Sequence, residues 1–136
     1  MPKPSTYDYA LIRVVPRVER GEFINAGVIL FCRMQQFLGA QITLDQSRLL
    51  ALDPTCNLER VEVQLAIINQ ICVGHGPIGT LDLADRFHWL VAPRSTIIQP
   101  SPVHCGLCTN PQATLERLLN RMVLVSHLTP SPLKTT

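Results

Sequence analysis

YDYALIRVVPRVERGEFINAGVILFC, from Tyr7 to Cys32, reads as two apolar strands joined by an arginine-rich turn. In the first strand, alternation puts Tyr7, Tyr9, Leu11, Arg13 and Val15 on one face and Asp8, Ala10, Ile12 and Val14 on the other. Pro16 has no amide hydrogen and stops ladder pairing there. Arg17 to Gly21 make the connection, with Gly21 free to take the positive φ that a tight hairpin requires. The return strand, Glu22 to about Cys32, sets Phe23, Asn25, Gly27, Ile29 and Phe31 against Ile24, Ala26, Val28 and Leu30 on its opposite face.

Register decides what these faces mean. With Pro16 opposite Glu22, the residues Val14, Ile12 and Ala10 oppose Ile24, Ala26 and Val28, which makes one aliphatic face. Arg13 then falls opposite Asn25, Leu11 opposite Gly27 and Tyr7 opposite Phe31. A slip by one residue would set Arg13 against Ala26 and mix the two sets, so the first register is expected. It leaves a core face for helices to cover and an aromatic, polar face centred on Arg13 and Asn25.

The rest of the chain extends this hairpin. Arg33 to Gln36 form a turn, and Phe37 to Thr43 a third strand in an antiparallel meander. Asp45 caps a short helix through Leu52, and Asp53 with Pro54, or Asn57, starts the main helix. Leu58, Val61, Leu65, Ile68 and Cys72 recur at helical spacing up to Gly74. Gly74 to Gly79 is a loop without a phosphate-binding pattern, Leu81 to Asp85 a short helical turn, Phe87 to Val91 a fourth strand and Thr96 to Gln99 a fifth. Pro100 to Cys108 is irregular, and Asn110 and Pro111 cap and start a last helix carrying Leu115, Leu118, Leu119 and Met122. The expected architecture is one α+β domain over residues 1–128, an antiparallel sheet of about five strands with two main helices packed on one face, followed by a disordered tail over 129–136.

Composition supports a single domain. The chain has 136 residues, 46% of them hydrophobic and only 16% charged, enough for an unstapled core with apolar surface left for a partner or second subunit. Twelve basic against ten acidic residues give +2, too little to announce nucleic-acid or membrane binding. Apart from Lys3 and Lys134 every basic residue is arginine, whose planar fork suits carboxylate and phosphate. No apolar run has the ~20 residues of a membrane helix and no signal peptide opens the chain, so a cytoplasmic protein is expected. Five cysteines in such a chain are expected as thiols.

No motif of established chemistry is present. In HCGLC the CxxC of Cys105 and Cys108 supplies half of a tetrahedral zinc site, with no second CxxC; His104 with Cys56 or His127 would have to complete it. Neither metal nor cofactor is expected, and no set of catalytic residues is assigned. The sharper candidates surround Arg13, a strand charge that needs a fixed partner such as Glu22, Asp8 or a ligand anion. Arg20 and Arg94, with Ser95 beside it, lie near turns and strand ends, and together with Tyr9, Glu22, Asn25 and His104 they make the candidate binding set. Two readings stay open: a structural salt-bridge network around Arg13 and Glu22, or a site for a phosphate, a nucleotide or an acidic peptide.

Three stretches carry a resemblance: Tyr7 to Phe31, RFHWLVAPRSTIIQ at Arg86 to Gln99, and VHCGL at Val103 to Leu107. In these the chain resembles a small uncharacterised bacterial family, domain-of-unknown-function family 3037. The family pattern falls here on Tyr9, Arg13, Pro16, Arg20, Gly21, Glu22, Asn25, Gly27, Arg94, Ser95, His104 and Gly106, and leaves out Cys105 and Cys108. The resemblance implies no activity. Its members are often encoded beside a HipA-like kinase, which implies a non-enzymatic interaction or regulatory module in a toxin-antitoxin-like or regulatory pair. The alternative is an enzyme or sensor acting on a phosphorylated small molecule, nucleotide or nucleic acid, and it requires Arg13, Arg20, Glu22, Asn25, Arg94 and His104 to meet in one pocket. The expected partner is a protein, a HipA-like kinase or a second copy of the chain; nucleic-acid binding fits the near-neutral charge least well.

Overall fold

The computed structural model describes residues 3–125. The tail expected over 129–136 and His127 lie outside them. Strands β1 (Ser5–Val14), β2 (Ile24–Cys32) and β3 (Phe37–Ile42) form the expected meander. Helices α1 (Gln46–Leu52), α2 (Leu58–Cys72), a single turn α3 (Gly76–Gly79) and α4 (Leu83–Leu90) follow, then β4 (Ile98–Pro100), β5 (His104–Cys108) and α5 (Pro111–Met122). The sheet is antiparallel and five-stranded, in the order β3-β2-β1-β4, with β5 pairing the other end of β1. The α+β class and the five-stranded sheet are as expected.

The hairpin register begins as read and then shifts. Val14 pairs with Ile24 and Arg13 with Asn25, but Ile12 pairs with Gly27, Leu11 with Val28 and Ala10 with Ile29. Ala26 is the extra residue of a β-bulge, and from there on the two faces of β2 are exchanged. Ile29 and Phe31 join Ala10, Ile12 and Val14, whereas Val28, Leu30 and Cys32 join Tyr7, Tyr9 and Leu11. Both faces are therefore apolar over most of their length, and both need cover. The helices accordingly divide: α2 and α4 seal the first face with Val61, Leu65, Ile68, Phe87 and Leu90. The second is sealed by α5 through Leu115, Leu118 and Leu119, where a helix on the same face as α2 had been expected. A signal for this stands in the sequence, because Ala26 to Cys32 is an unbroken apolar run, the mark of a strand buried on both sides.

Local chemistry explains the remaining elements. Asp45, Asn57 and Asn110 each accept a hydrogen bond from the backbone N–H three residues on, capping α1, α2 and α5. Phe87 to Val91, read as a strand, is the last part of α4 and its C-cap: Asp82 caps the other end by accepting from Asp85 N, and Leu83, Phe87 and Leu90 fall on one helical face. The segment read as irregular yields β5, paired antiparallel from Ser5 to Tyr9. Between β4 and β5 the buried Ser101 stitches the chain to β1, its amide donating to Leu11 O (2.8 Å) and its hydroxyl accepting from Leu11 N (2.8 Å). No helix of the described residues is long and apolar enough to cross a membrane.

Candidate functional site

Arg13 sits on the α5 side of β1, flanked by Asn25 of β2 and Gln99 of β4. Its guanidinium lies 4.3 Å from the centroid of Phe23, a ring still 42% exposed. Neither carboxylate expected to pair with it does so. Glu22 binds Arg20 instead, at 2.8 Å, and strand alternation turns Asp8 to the opposite face of the sheet. Among the described residues Arg13 makes no ion pair, and its Nε is buried without a hydrogen-bond partner. Asn25 donates through Nδ2 to Met122 O at the end of α5 (3.1 Å), but its Oδ1 is likewise buried and unpartnered. A free donor and a free acceptor thus stand on cross-strand neighbours beside an exposed aromatic ring. A group offering both an acceptor and a donor, such as a peptide unit, would satisfy the two together.

The other candidates are distributed elsewhere. Arg20 and Glu22 form their ion pair at the exposed hairpin tip, where Arg20's hydrogen bond and charge hold the Glu22 carboxyl below the usual carboxylate range. Arg94 belongs to the opposite face of the sheet. It caps the C-terminal end of α4 by donating to Trp89 O (2.6 Å) and Leu90 O (3.2 Å), and it stacks on the Trp89 ring at 4.3 Å. Burial lowers its pKa, and the adjoining Ser95 is exposed. His104 opens β5 opposite Tyr9, their rings 5.4 Å apart. Tyr9 lies four residues before Arg13 on the same strand, roughly 13 Å at the rise of a β-strand. The eight candidates fall into separate pairs, Arg20 with Glu22, Tyr9 with His104, Arg94 with Ser95 and Arg13 with Asn25, and Phe23, absent from that set, completes the surface of the last. An aromatic at alternate spacing to Asn25, on the face of Arg13, was the signal for it.

The main clefts among the described residues do not gather these side chains either. Clefts of about 340, 290 and 210 Å³ are lined respectively by residues around the start of α5, by Ile42, Leu44 and α2, and by Pro16, Asp53 and the start of α2. Arg94 borders only a gap of about 10 Å³ under Ile12 and Ile29. Among the described residues no three His, Cys, Asp or Glu side chains are placed to hold a metal, and Cys105 is exposed on β5 while Cys108 is buried under α5. Burial, with the nearby Cys32, pushes the Cys108 thiol up, which opposes thiolate formation.

Residues 9–123 match the family model described as a protein of unknown function, DUF3037. The chain belongs to the DUF3037 family. No curated protein and no solved structure matches it. The match takes in the whole sheet except the first residues of β1, and all five helices up to the last turn of α5 and Val123. Every candidate residue of this DUF3037 chain, from Tyr9 to His104, falls inside it.

Proposed function

We propose that this DUF3037 chain is a non-enzymatic interaction or regulatory module that binds a protein partner, a HipA-like kinase in a toxin-antitoxin-like or regulatory pair, through the surface of Arg13, Phe23 and Asn25. The observation that carries the reading is an arginine without a carboxylate partner among the described residues, stacked on a half-exposed aromatic ring, with its own Nε and the neighbouring Asn25 Oδ1 unmet. Arginine stacked on an exposed aromatic is the composition of an interface anchor, and burying it against a partner's peptide unit, whose C=O accepts and whose N–H donates, would satisfy Arg13 Nε and Asn25 Oδ1 together. The kinase as partner class follows from the family resemblance. An enzyme on phosphorylated substrates is less well supported, because Arg94 spends its donors on α4 carbonyls and His104 stacks with Tyr9.

The test is calorimetric titration of the chain with a HipA-like kinase. Complex formation is expected, with Arg13→Ala and Phe23→Ala each weakening it about 30-fold or more, the scale of an interface hot spot. Absence of a complex, or one indifferent to both substitutions, would overturn the reading.

A further inference from the structure

The two edges of the sheet are built differently, and the difference points to a partner. On one side β4 and β5 make a broken edge, interrupted by Ser101 to Val103 and carrying Pro100 and Pro102, devices that keep a further strand away. On the other side β3 is a continuous edge, and from Phe37 to Leu44 (FLGAQITL) it holds neither a charge nor a proline.

Register shows which groups β3 offers. Thr43 N donates to Ala26 O, and the ladder continues as Gln41 with Val28 and Gly39 with Leu30. In an antiparallel pair, residues that bond inward alternate with residues whose N–H and C=O point outward. Leu38, Ala40 and Ile42 therefore direct their amides and carbonyls away from β2, and among the described residues these groups have no backbone or side-chain partner. The same three side chains lie on the α2 face, half-buried against the core.

We propose that two copies of the chain join along β3 in an isologous antiparallel pair, centred on Ala40, which makes one continuous ten-stranded sheet; this pairing does not depend on a kinase partner. Two conditions fix the register. A two-fold axis normal to the sheet keeps each face on its own side, so opposed residues must share a face, and the bonding pairs must be outward-pointing residues on both copies. Pairing Ala40 with Ala40, and Leu38 with Ile42, meets both conditions and uses all six free groups of each edge. It sets Leu38, Ala40 and Ile42 of the two copies into one apolar ladder on the α2 face, with the small Ala40 on the axis.

Charge favours a second copy over an unrelated strand. A two-fold axis brings each residue near its own image, so an edge bearing charge near the axis would repel itself, and this one bears none from Phe37 to Leu44. Arg33 precedes the segment and Asp45 follows it, so antiparallel pairing brings the basic end of one copy to the acidic end of the other, twice.

The test measures the mass of the full chain in solution by sedimentation and the exchange of its amide hydrogens by NMR. The expected particle has twice the 15.2 kDa of one chain, with the amides of Leu38, Ala40 and Ile42 protected in proportion to dimer. Ala40→Pro removes an amide that the β2 ladder does not use, so it should leave the far-ultraviolet circular dichroism unchanged and give a monomer. Gln41→Lys, which places like charges across the axis, should weaken the dimer tenfold or more and serves if the proline variant fails to fold. A monomeric wild type, a dimer whose three amides exchange freely, or a folded Ala40→Pro that remains a dimer would overturn the proposal; so would capture of the edge by a different protein while the chain alone stays monomeric.

Discussion

Arg13 pairs across the hairpin with Asn25 while its neighbour Ile12 pairs with Gly27, so Ala26 has no opposite number. That extra residue turns an expected polar face into a second core face and confines the polar surface to the short end of the hairpin before the bulge. Gly27 makes the crowded bulge possible. A Cβ there would lie 2.7 Å from the backbone oxygen of Gln41 and 3.0 Å from Ile12 Cδ1. Gly27→Ala is expected to destabilise the fold by about 1–3 kcal/mol, the cost of overpacking a closed core, read as a lower urea midpoint.

Arg13 can be separated from stability. A charge removed from a buried ion pair costs about 3–5 kcal/mol. Arg13 has no such pair, and replacement loses only its contact with Phe23, roughly 0.5–1 kcal/mol, while relieving a buried donor without a partner. Arg13→Met should therefore unfold within about 1 kcal/mol of the wild type. A loss of several kcal/mol in urea would show instead that Arg13 holds the fold together.

What the sequence revealed and what it hid divide along physical lines. The caps were legible because Asp45, Asn57 and Asn110 act on amides three residues away, a purely local interaction. The meander was legible from alternation and from Gly21, whose φ is +72°. The bulge was not, since either register of β2 satisfies alternation locally and the choice rests on Gly27 fitting beneath Gln41 of the third strand. Phe87 to Val91 misled because a five-residue run with four apolar side chains fits either period, and the deciding signal was the Asp82 cap upstream. Of the candidate site, Arg13 and Asn25 were placed side by side correctly. The separation of Arg94 and His104 from them depends on which face and which end of β1 each later segment reaches, and no short-range pattern encodes that.

Ser101 is the joint between the two strands on the outer side of β1. Its hydroxyl accepts from Leu11 N at 2.8 Å and donates to Pro102 O at 2.8 Å, in a site 4% exposed. Ser101→Ala leaves the Leu11 amide without its acceptor, a penalty of about 1–3 kcal/mol. Hydrogen exchange should locate the change: the Leu11 amide should lose protection in the variant while those of β3 keep theirs. Uniform loss across the sheet would mean that Ser101 acts on the fold as a whole.

Cys72 closes α2 against the core, and burial pushes its thiol from 9.0 up to about 12, only partly opposed by the Arg86 guanidinium, which donates to Cys72 O. Above pH 9 the unfolded chain releases this proton and the folded chain keeps it. The unfolded state then binds fewer protons, so stability falls as pH rises. The contribution is complete below about pH 9 and is lost progressively towards pH 12, on the order of a few kcal/mol in all. The raised Cys108, Cys56 and Tyr7 groups act in the same direction. Urea midpoints measured between about pH 8 and pH 11 should therefore decline, and Cys72→Val should show a clearly shallower decline because the largest of these groups is gone. A wild type and a Cys72→Val variant with parallel profiles would show that the thiol reaches water in the folded state.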